Sequence, residues 1–225
     1  MSLKEVPRTF QTPSESDNNS GHTHHRIHMQ YPLTLTFKLF ALAPQISVVD
    51  QQDNFVFYVK QKLFKLKEAI TVFSDNQQRQ SLYSIKADRI IDFSARYQFS
   101  DQQGRALGSV KRRGMRSIWR AHYDIFAPTD AEIPVFTIRE QNPWVKVFDS
   151  LFAEIPIVGL FTGFVFNPVY LVQKSDETVV MRLEKIPAFL SRKFSIKQVD
   201  HLDKRHQEQI VLSLLMMLLL ERNRG

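Results

Sequence analysis

Residues 210–220, close to the C-terminus, restrict the fold of this chain more than any other segment. Ten of these eleven residues are apolar, so a helix formed by them has no polar side and has to be surrounded by protein or lipid. Such a helix is about 16 Å long, roughly half of the hydrocarbon core of a bilayer, and Glu208 and Glu221 bracket it. The run therefore predicts a helix buried inside a soluble domain, with Asp200 or Asp203 as its N-terminal cap.

Segments with a two-residue period precede this helix. Leu35, Phe37 and Leu39 alternate with polar residues, which is typical of a strand with one buried face, and residues 179–183 repeat the pattern. Further short β-type segments, separated by turn residues at intervals of roughly ten residues, are 45–49, 55–60, 70–73, 81–86, 93–99, 106–110, 118–126, 135–139 and 194–199. This succession predicts an antiparallel sandwich or barrel, and a sheet wrapped around the helix would bury it on every side.

Residues 1–30 have a different composition from the rest of the chain. They are rich in Ser, Asn, Gln, Pro and His, which is typical of a disordered polar tail. His22, His24, His25 and His28 lie in this tail, where a solvated tract is favoured over a metal site because metal ligands have to be held by structure. No apolar signal segment follows the first basic residues, so we expect a cytoplasmic location. The length and the strand pattern predict a single domain over residues 31–225.

Residues 140–176 interrupt the strand pattern with a helical and apolar insert. Asn142 and Pro143 can begin a helix, and residues 155–172 then contain no charge over a length at the lower limit for a membrane span. Two prolines and two glycines interrupt that stretch, which favours a buried hairpin or a partner-covered insert over a span. The side chains expected to contact a partner or a membrane are Trp144, Phe148, Phe152, Phe161 and Phe164.

Several sequence segments stand in an order that is typical of a known family. They are residues 58–68 (YVKQKLFKLKE) followed by 70–73 (ITVF), 80–85 (QSLYSI), and 99–104 (FSDQQG) leading into 110–113 (VKRR). Together with the final apolar helix they resemble the LURP-one-related family of the tubby C-terminal-like superfamily, over about residues 31–139 and 177–222. The resemblance implies a β-rich, α+β fold, a closed antiparallel barrel of about twelve strands around the C-terminal helix. The insert at 140–176 has no counterpart in the family pattern.

The net charge of +7 resides in the predicted domain, because the charges of residues 1–30 sum to zero. Two acid-poor clusters contain the side chains that we expect to bind an anion: Lys60, Lys62, Lys65 and Lys67 in the first, and Lys111, Arg112, Arg113, Arg116 and Arg120 in the second. Gly114 indicates a hairpin tip where guanidinium groups could converge, and arginine forks suit phosphate. A solvated strand face with edge-protecting lysines explains the same pattern without a ligand.

Catalytic motifs are absent from the sequence. It has no cysteine, no nucleophile elbow, no phosphate-binding Walker loop and no His-Glu-x-x-His zinc helix. We therefore expect no enzyme, no cofactor and no metal.

The resemblance and the basic clusters together predict a function in binding. The superfamily includes phosphoinositide-binding tubby proteins and phospholipid scramblases, which implies a module for anionic, phosphoinositide-like headgroups, peripheral at a membrane surface. The alternative is a protein-interaction or structural scaffold, including a homo-oligomer, that uses the apolar residues 144–172. Nucleic acid is a weaker third partner, because the aromatic-interleaved signatures of single-strand readers are missing.

Overall fold

Twelve antiparallel strands form a closed barrel in the computed structural model of this chain. The structure describes residues 29–38, 45–60, 69–89, 95–114, 121–130, 132–141, 168–188 and 191–222. The strands are β1 (Leu33–Lys38), β2 (Gln45–Val49), β3 (Phe55–Lys60), β4 (Ile70–Phe73), β5 (Ser81–Ala87), β6 (Arg96–Asp101), β7 (Ala106–Arg112), β8 (His122–Phe126), β9 (Pro134–Glu140), β10 (Val169–Gln173), β11 (Val179–Ile186) and β12 (Ser191–Gln198). Each strand pairs with its neighbours in sequence, and β1 pairs with β12 to close the ring. The predicted barrel is therefore confirmed.

One strand was missed by the sequence analysis. β10 (Val169–Gln173) lies within the predicted apolar insert, yet it pairs with β9 and β11 as part of the wall. Its inward residues Tyr170 and Val172 alternate with Val169 and Leu171, which are also apolar, so no two-residue period is visible. Glu140 belongs to β9, so the insert is shorter than predicted at both ends, and residues 142–167 lie outside the described part of the chain.

The C-terminal helix α1 (Lys204–Arg222) is enclosed by the barrel. Every residue from position 209 to position 219 is buried, irrespective of the side of the helix on which it lies. Near its start Gln209 binds Phe126 of β8, and at its end Arg222 lies over Phe37 of β1, almost directly across the ring of strands. The predicted buried helix is thus confirmed. No helix in the described ranges is long and apolar enough to cross a membrane.

Asp203 is the N-terminal cap of α1. The backbone N–H of His206 donates a 2.9 Å hydrogen bond to Asp203 Oδ1, which satisfies one of the donors left open in the first turn. Asp200, the other predicted cap, instead accepts a 2.8 Å hydrogen bond from Lys174 Nζ.

The simple up-and-down strand order gives the barrel two distinct ends. Strands β1, β3, β5, β7, β9 and β11 finish at the end where α1 also finishes, which we call the exit end. The other end, where α1 begins at Lys204, is the entry end. The contact between Glu221 near the end of α1 and Arg112 at the end of β7 confirms that these termini share one end. Successive connections between the strands therefore lie alternately at the exit end and at the entry end.

A cationic end of the barrel as the candidate site

Charged side chains are distributed unevenly between the two ends. We assign each described residue to the strand half, connection or helix end in which it lies, and leave Asp124, in the middle of β8, unassigned. The exit end then has thirteen basic residues, Lys38, Lys60, Lys86, Arg89, Arg96, Lys111, Arg112, Arg113, Arg139, Lys185, Arg192, Lys193 and Arg222, and four acidic ones, Asp88, Glu140, Glu184 and Glu221. The entry end has eleven acidic residues, Asp50, Asp53, Asp75, Asp101, Asp130, Glu132, Asp176, Glu177, Asp200, Asp203 and Glu208, and seven basic ones, Arg79, Arg105, Lys174, Arg182, Lys197, Lys204 and Arg205.

The dipole of α1 explains only a small part of this polarity. Its C-terminus lies at the exit end and is equivalent to roughly half a negative charge, which favours cations nearby. The exit end has nine more basic than acidic residues in the described ranges, far more than such a dipole requires. The barrel therefore presents a cationic end and an acidic end.

Lys60 and Lys111 show that both predicted basic clusters begin at the same end. Lys60 is the exposed last residue of β3, and Lys111 is the next-to-last residue of β7, half-buried and opposite Asp124 of β8. Both positions belong to the exit end. The other lysines and arginines predicted with them, Lys62, Lys65, Lys67, Arg116 and Arg120, lie outside the described residues, as do Trp144, Phe148, Phe152, Phe161 and Phe164.

Arg112 and Arg113 do not converge at a hairpin tip as the sequence predicted. Arg112 still belongs to β7 and faces the barrel interior, 6% exposed, with its guanidinium 3.5 Å from Glu221 and over the ring of Tyr123. Arg113 points the other way, and its Nε donates a 2.9 Å hydrogen bond to Asp124. Successive residues of a strand alternate between its faces, so the two cations are separated by the wall.

Arg112 is part of a polar contact that secures the end of α1. The hydroxyl of Tyr123 donates a 2.6 Å hydrogen bond to Glu221 Oε1, the same oxygen that faces Arg112. Burial, followed by the charges of Glu140 and Glu221, raises the pKa of nearby Tyr170. We therefore assign Arg112 to the interior of the barrel and leave it out of the anion-binding surface.

Lys38 extends the exposed cationic surface next to Lys60, and the sequence analysis missed it. Lys38 lies opposite Gln45 of β2, and Gln45 in turn lies opposite Lys60, so the three residues form one row across neighbouring strands. Buried Phe37, Ile46 and Val59 precede or follow them, which places this row on the outer face.

Eight cations at this end make no ion pair within the described part of the chain. They are Lys38, Lys60, Lys86, Lys111, Lys185, Arg192, Lys193 and Arg222. In an up-and-down barrel the ends of alternate strands meet at one end, so the positions of these residues along the predicted strands would have indicated that most of them lie together.

His122 of β8 lies close to positive charges at the exit end. Partial burial, and then the charges of Arg113 and Arg139, lower the pKa of His122, while Asp124 acts in the opposite direction. The imidazole is therefore neutral at pH 7 and adds no charge to the surface.

The described side chains do not form a recognisable catalytic or metal centre. No group of three or more His, Asp or Glu residues in the described ranges could hold a metal ion. Burial raises the pKa of Glu208 at the entry end. A hydrogen bond with Tyr83 of β5 holds its carboxyl against the barrel wall, so we assign Glu208 a structural role.

Comparison with known proteins identifies the family of this chain. The family model described as LURP-one-related matches residues 55–209, which confirms the resemblance seen in the sequence. An X-ray structure of a protein from Arabidopsis thaliana is similar to this chain, with a TM-score of 0.46 and 15% sequence identity over 88% of this chain and 94% of that one. No functionally curated protein matches the sequence.

Proposed function

The chain belongs to the LURP-one-related family, and on that premise we propose that it is a non-catalytic module whose exit end binds anionic phospholipid headgroups at a membrane surface. The polarity of the barrel is the observation that carries this proposal. A body with one cationic and one acidic end is oriented by the field of an anionic surface, so that the exit end faces the lipid. A phosphoinositide-like headgroup suits the site because clustered lysine and arginine side chains favour phosphate.

The expected strength of this attraction is moderate. Lys38, Lys60, Lys86 and Arg192 are exposed and make no ion pair in the described ranges. At about 1 kcal/mol for each basic side chain near an anionic surface, they supply on the order of 4 kcal/mol, which corresponds to a dissociation constant near 1 mM. Stable binding therefore needs a further contribution from a specific headgroup contact or from apolar contact.

The largely apolar segment 144–167 is a candidate for that contribution. The described residues on either side of it, Gln141 and Pro168, both lie at the exit end, Gln141 after the end of β9 and Pro168 before the start of β10. The proposal assigns membrane contact to Trp144, Phe148, Phe152, Phe161 and Phe164 in this segment. Cations and apolar side chains on one end would then engage the same bilayer.

Vesicle cosedimentation tests the function. We expect the protein to pellet with phosphatidylcholine vesicles that contain phosphatidylinositol bisphosphate, and to stay in solution with phosphatidylcholine alone. The variant Lys38→Glu/Lys60→Glu should lose most of this binding. The matched control Lys204→Glu/Arg205→Glu makes the same change of net charge on exposed residues of the entry end and should retain it.

Three results would contradict the proposal. Equal binding to neutral vesicles would show that the charge of the lipid is irrelevant. Unchanged binding of the exit-end variant would exclude Lys38 and Lys60 from the surface. Equal loss in both variants would indicate that only the net charge of the protein matters.

A protein-interaction scaffold is the second candidate function, and the uncharged residues 155–168, which precede β10, favour it. Contact with another chain is a common role for an apolar sequence segment that is not needed for the core of its own domain. Deletion of residues 144–167 leaves the described strands intact. If the scaffold function holds, the deletion should abolish self-association in analytical ultracentrifugation, and an unchanged assembly state would exclude it.

A further inference from the structure

Three cationic side chains surround a pair of aromatic rings at the mouth of the barrel. Arg192 of β12 lies opposite Phe37 of β1, and Lys185 of β11 lies opposite Phe194 of β12. Residues opposite each other in an antiparallel pair share a face, and both phenylalanines belong to the core, so all four side chains lie on the inner face. The two rings contact each other edge to face, with their centroids 6.1 Å apart.

Arg222 brings the third cation to this position from the last turn of α1. Its guanidinium carbon lies 5.8 Å from the centre of the Phe37 ring. Its Nη1 is buried and has no hydrogen-bond partner among the residues that the structure describes. A buried donor with no acceptor is unfavourable and uncommon in folded proteins, and a charged one is the costlier case.

Acidic side chains of the exit end do not neutralise this mouth. Glu221, next to Arg222 in the helix, is engaged with Arg112 and Tyr123 on the wall opposite β1. Glu184 lies on the outer face, where it pairs with Arg182 and Lys197. Within the described ranges neither Lys185, Arg192 nor Arg222 makes an ion pair, and the half negative charge of the helix terminus offsets only part of their charge.

We propose that Lys185, Arg192 and Arg222, which we call the mouth site, bind a phosphomonoester. Lys185 and Arg192 occupy diagonal positions on the neighbouring strands β11 and β12, since Lys185 lies opposite Phe194, two residues after Arg192. Such positions are about 7–8 Å apart, and lysine and arginine side chains are long enough to reach one anion from them. Arg222 Nη1 supplies the buried donor, and the positive charges of Lys185 and Arg192 balance the two negative charges of the phosphate. Phe37 and Phe194 form the apolar floor of the site. This inference rests on the proposed function where the phosphate is that of a lipid headgroup, whereas a free phosphate uses the same chemistry.

Titration with inorganic phosphate, followed by NMR of the arginine Nε–H groups, tests the mouth site directly. We expect the signals of Arg192 and Arg222 to shift in the full-length protein. Arg222→Met keeps an unbranched side chain over Phe37 but removes the donor, and should weaken phosphate binding about tenfold or more. Arg205→Met, an exposed arginine at the other end of the same helix, should bind phosphate as the wild type does.

The stability of Arg222→Met separates this role from a structural one. Removing a donor that has no partner should leave the thermal midpoint unchanged or raise it, whereas loss of a structural hydrogen bond would lower it. If this variant fails to fold, the double variant Lys185→Gln/Arg192→Gln takes its place, because it leaves the helix unchanged and alters only the two cations on the strands. It should weaken phosphate binding to a similar degree. Full phosphate binding by either variant, or no binding by the wild type at about 10 mM phosphate, overturns the inference.

Vesicles that contain phosphatidylinositol bisphosphate distinguish the two sources of the phosphate. If Arg222→Met also loses vesicle binding, and phosphate displaces the wild type from vesicles, the site takes a lipid headgroup. If vesicle binding is unaffected while phosphate binding is lost, the site takes a free phosphate. If the wild type binds vesicles but does not bind phosphate, the mouth site is refuted and the membrane function is not. If the wild type binds phosphate but not vesicles, the membrane function is refuted and the mouth site is not.

Discussion

The side-chain amide of Gln209 donates a 2.7 Å hydrogen bond to the backbone carbonyl of Phe126, and this bond seats the buried helix against the barrel wall. Gln209 is 2% exposed and is the first residue of the buried part of α1. Gly108 of β7 lies beside the bond, and a Cβ atom there would be 2.1 Å from Gln209 Nε2 and 2.5 Å from the Phe126 carbonyl oxygen. The absence of a side chain at position 108 is therefore what allows the helix to approach the strand.

Gly108→Ala should destabilise the protein by about 2–4 kcal/mol. The new methyl group collides with a backbone atom, which cannot move cheaply, and φ at this position is +131°, which L-residues rarely adopt. Gly104→Ala is the matched control, since φ there is +76° but no atom lies within 4 Å of the added Cβ, and it should cost about 1 kcal/mol. Urea unfolding measures both, and equal losses would show that the close approach to Gln209 is unimportant.

Arg112→Met and Arg113→Met should differ strongly although the two residues are adjacent. Arg112 is buried against Glu221, and its removal takes a buried cation away from that carboxylate, at a cost of about 3 kcal/mol. Arg113 pairs with Asp124 at the surface, where such a pair contributes less than about 1 kcal/mol. Denaturant unfolding of both variants checks the difference, and a larger loss for Arg113→Met would contradict the orientation of the two side chains.

Asp203→Ala should weaken the start of α1 by about 1 kcal/mol, because the side chain caps the His206 N–H. Asp200→Ala removes a half-exposed pair with Lys174 and should cost less. Thermal unfolding distinguishes the two substitutions. The reverse order of effects would place the cap at Asp200.

Glu208→Gln should stabilise the protein relative to the wild type at neutral pH. Burial raises the pKa of Glu208 above its ordinary value of 4.5, although a hydrogen bond with Tyr83 and the charge of Lys204 lower it. The native state therefore holds the proton more tightly than the unfolded state, and the wild type loses stability as pH rises from 4.5 through the raised pKa.

Stability curves at several pH values test this effect. The difference between Glu208→Gln and the wild type should be smallest below pH 4.5 and should grow as the pH approaches neutrality. The exposed residue Glu132 provides the control substitution Glu132→Gln, which should show no comparable trend. A difference for Glu208→Gln that is independent of pH would exclude the role of burial.

Vesicle binding by the exit end should be sensitive to salt. Exposed charges act over a Debye length that shortens from about 10 Å at 0.1 M to 3 Å at 1 M ionic strength. We expect cosedimentation with phosphatidylinositol bisphosphate vesicles to fall steeply over this range for the wild type. The Lys38→Glu/Lys60→Glu variant should show a shallower dependence, and equal slopes would argue against a contribution from these two lysines.

Much of the candidate site could be anticipated from the order of the strands. Lys60 and Lys111 were predicted as anion-binding residues, and both lie at the exit end. Arg112 was also predicted, but its inward orientation depends on where β7 ends, one residue before Arg113. The mouth site was not predicted, since the opposition of Arg192 to Phe37 follows from the register between β1 and β12, which are more than 150 residues apart in sequence.

Local patterns of side chains determined the helix and most strands without reference to the rest of the molecule. The period of two, the turn residues and the length of the apolar run act over a few residues, so they can be interpreted from the sequence alone. The tertiary structure decided β10, the close approach of Gly108 to Gln209, and the gathering of cations at one end. These features depend on barrel closure and on the register between distant strands, which no local pattern encodes.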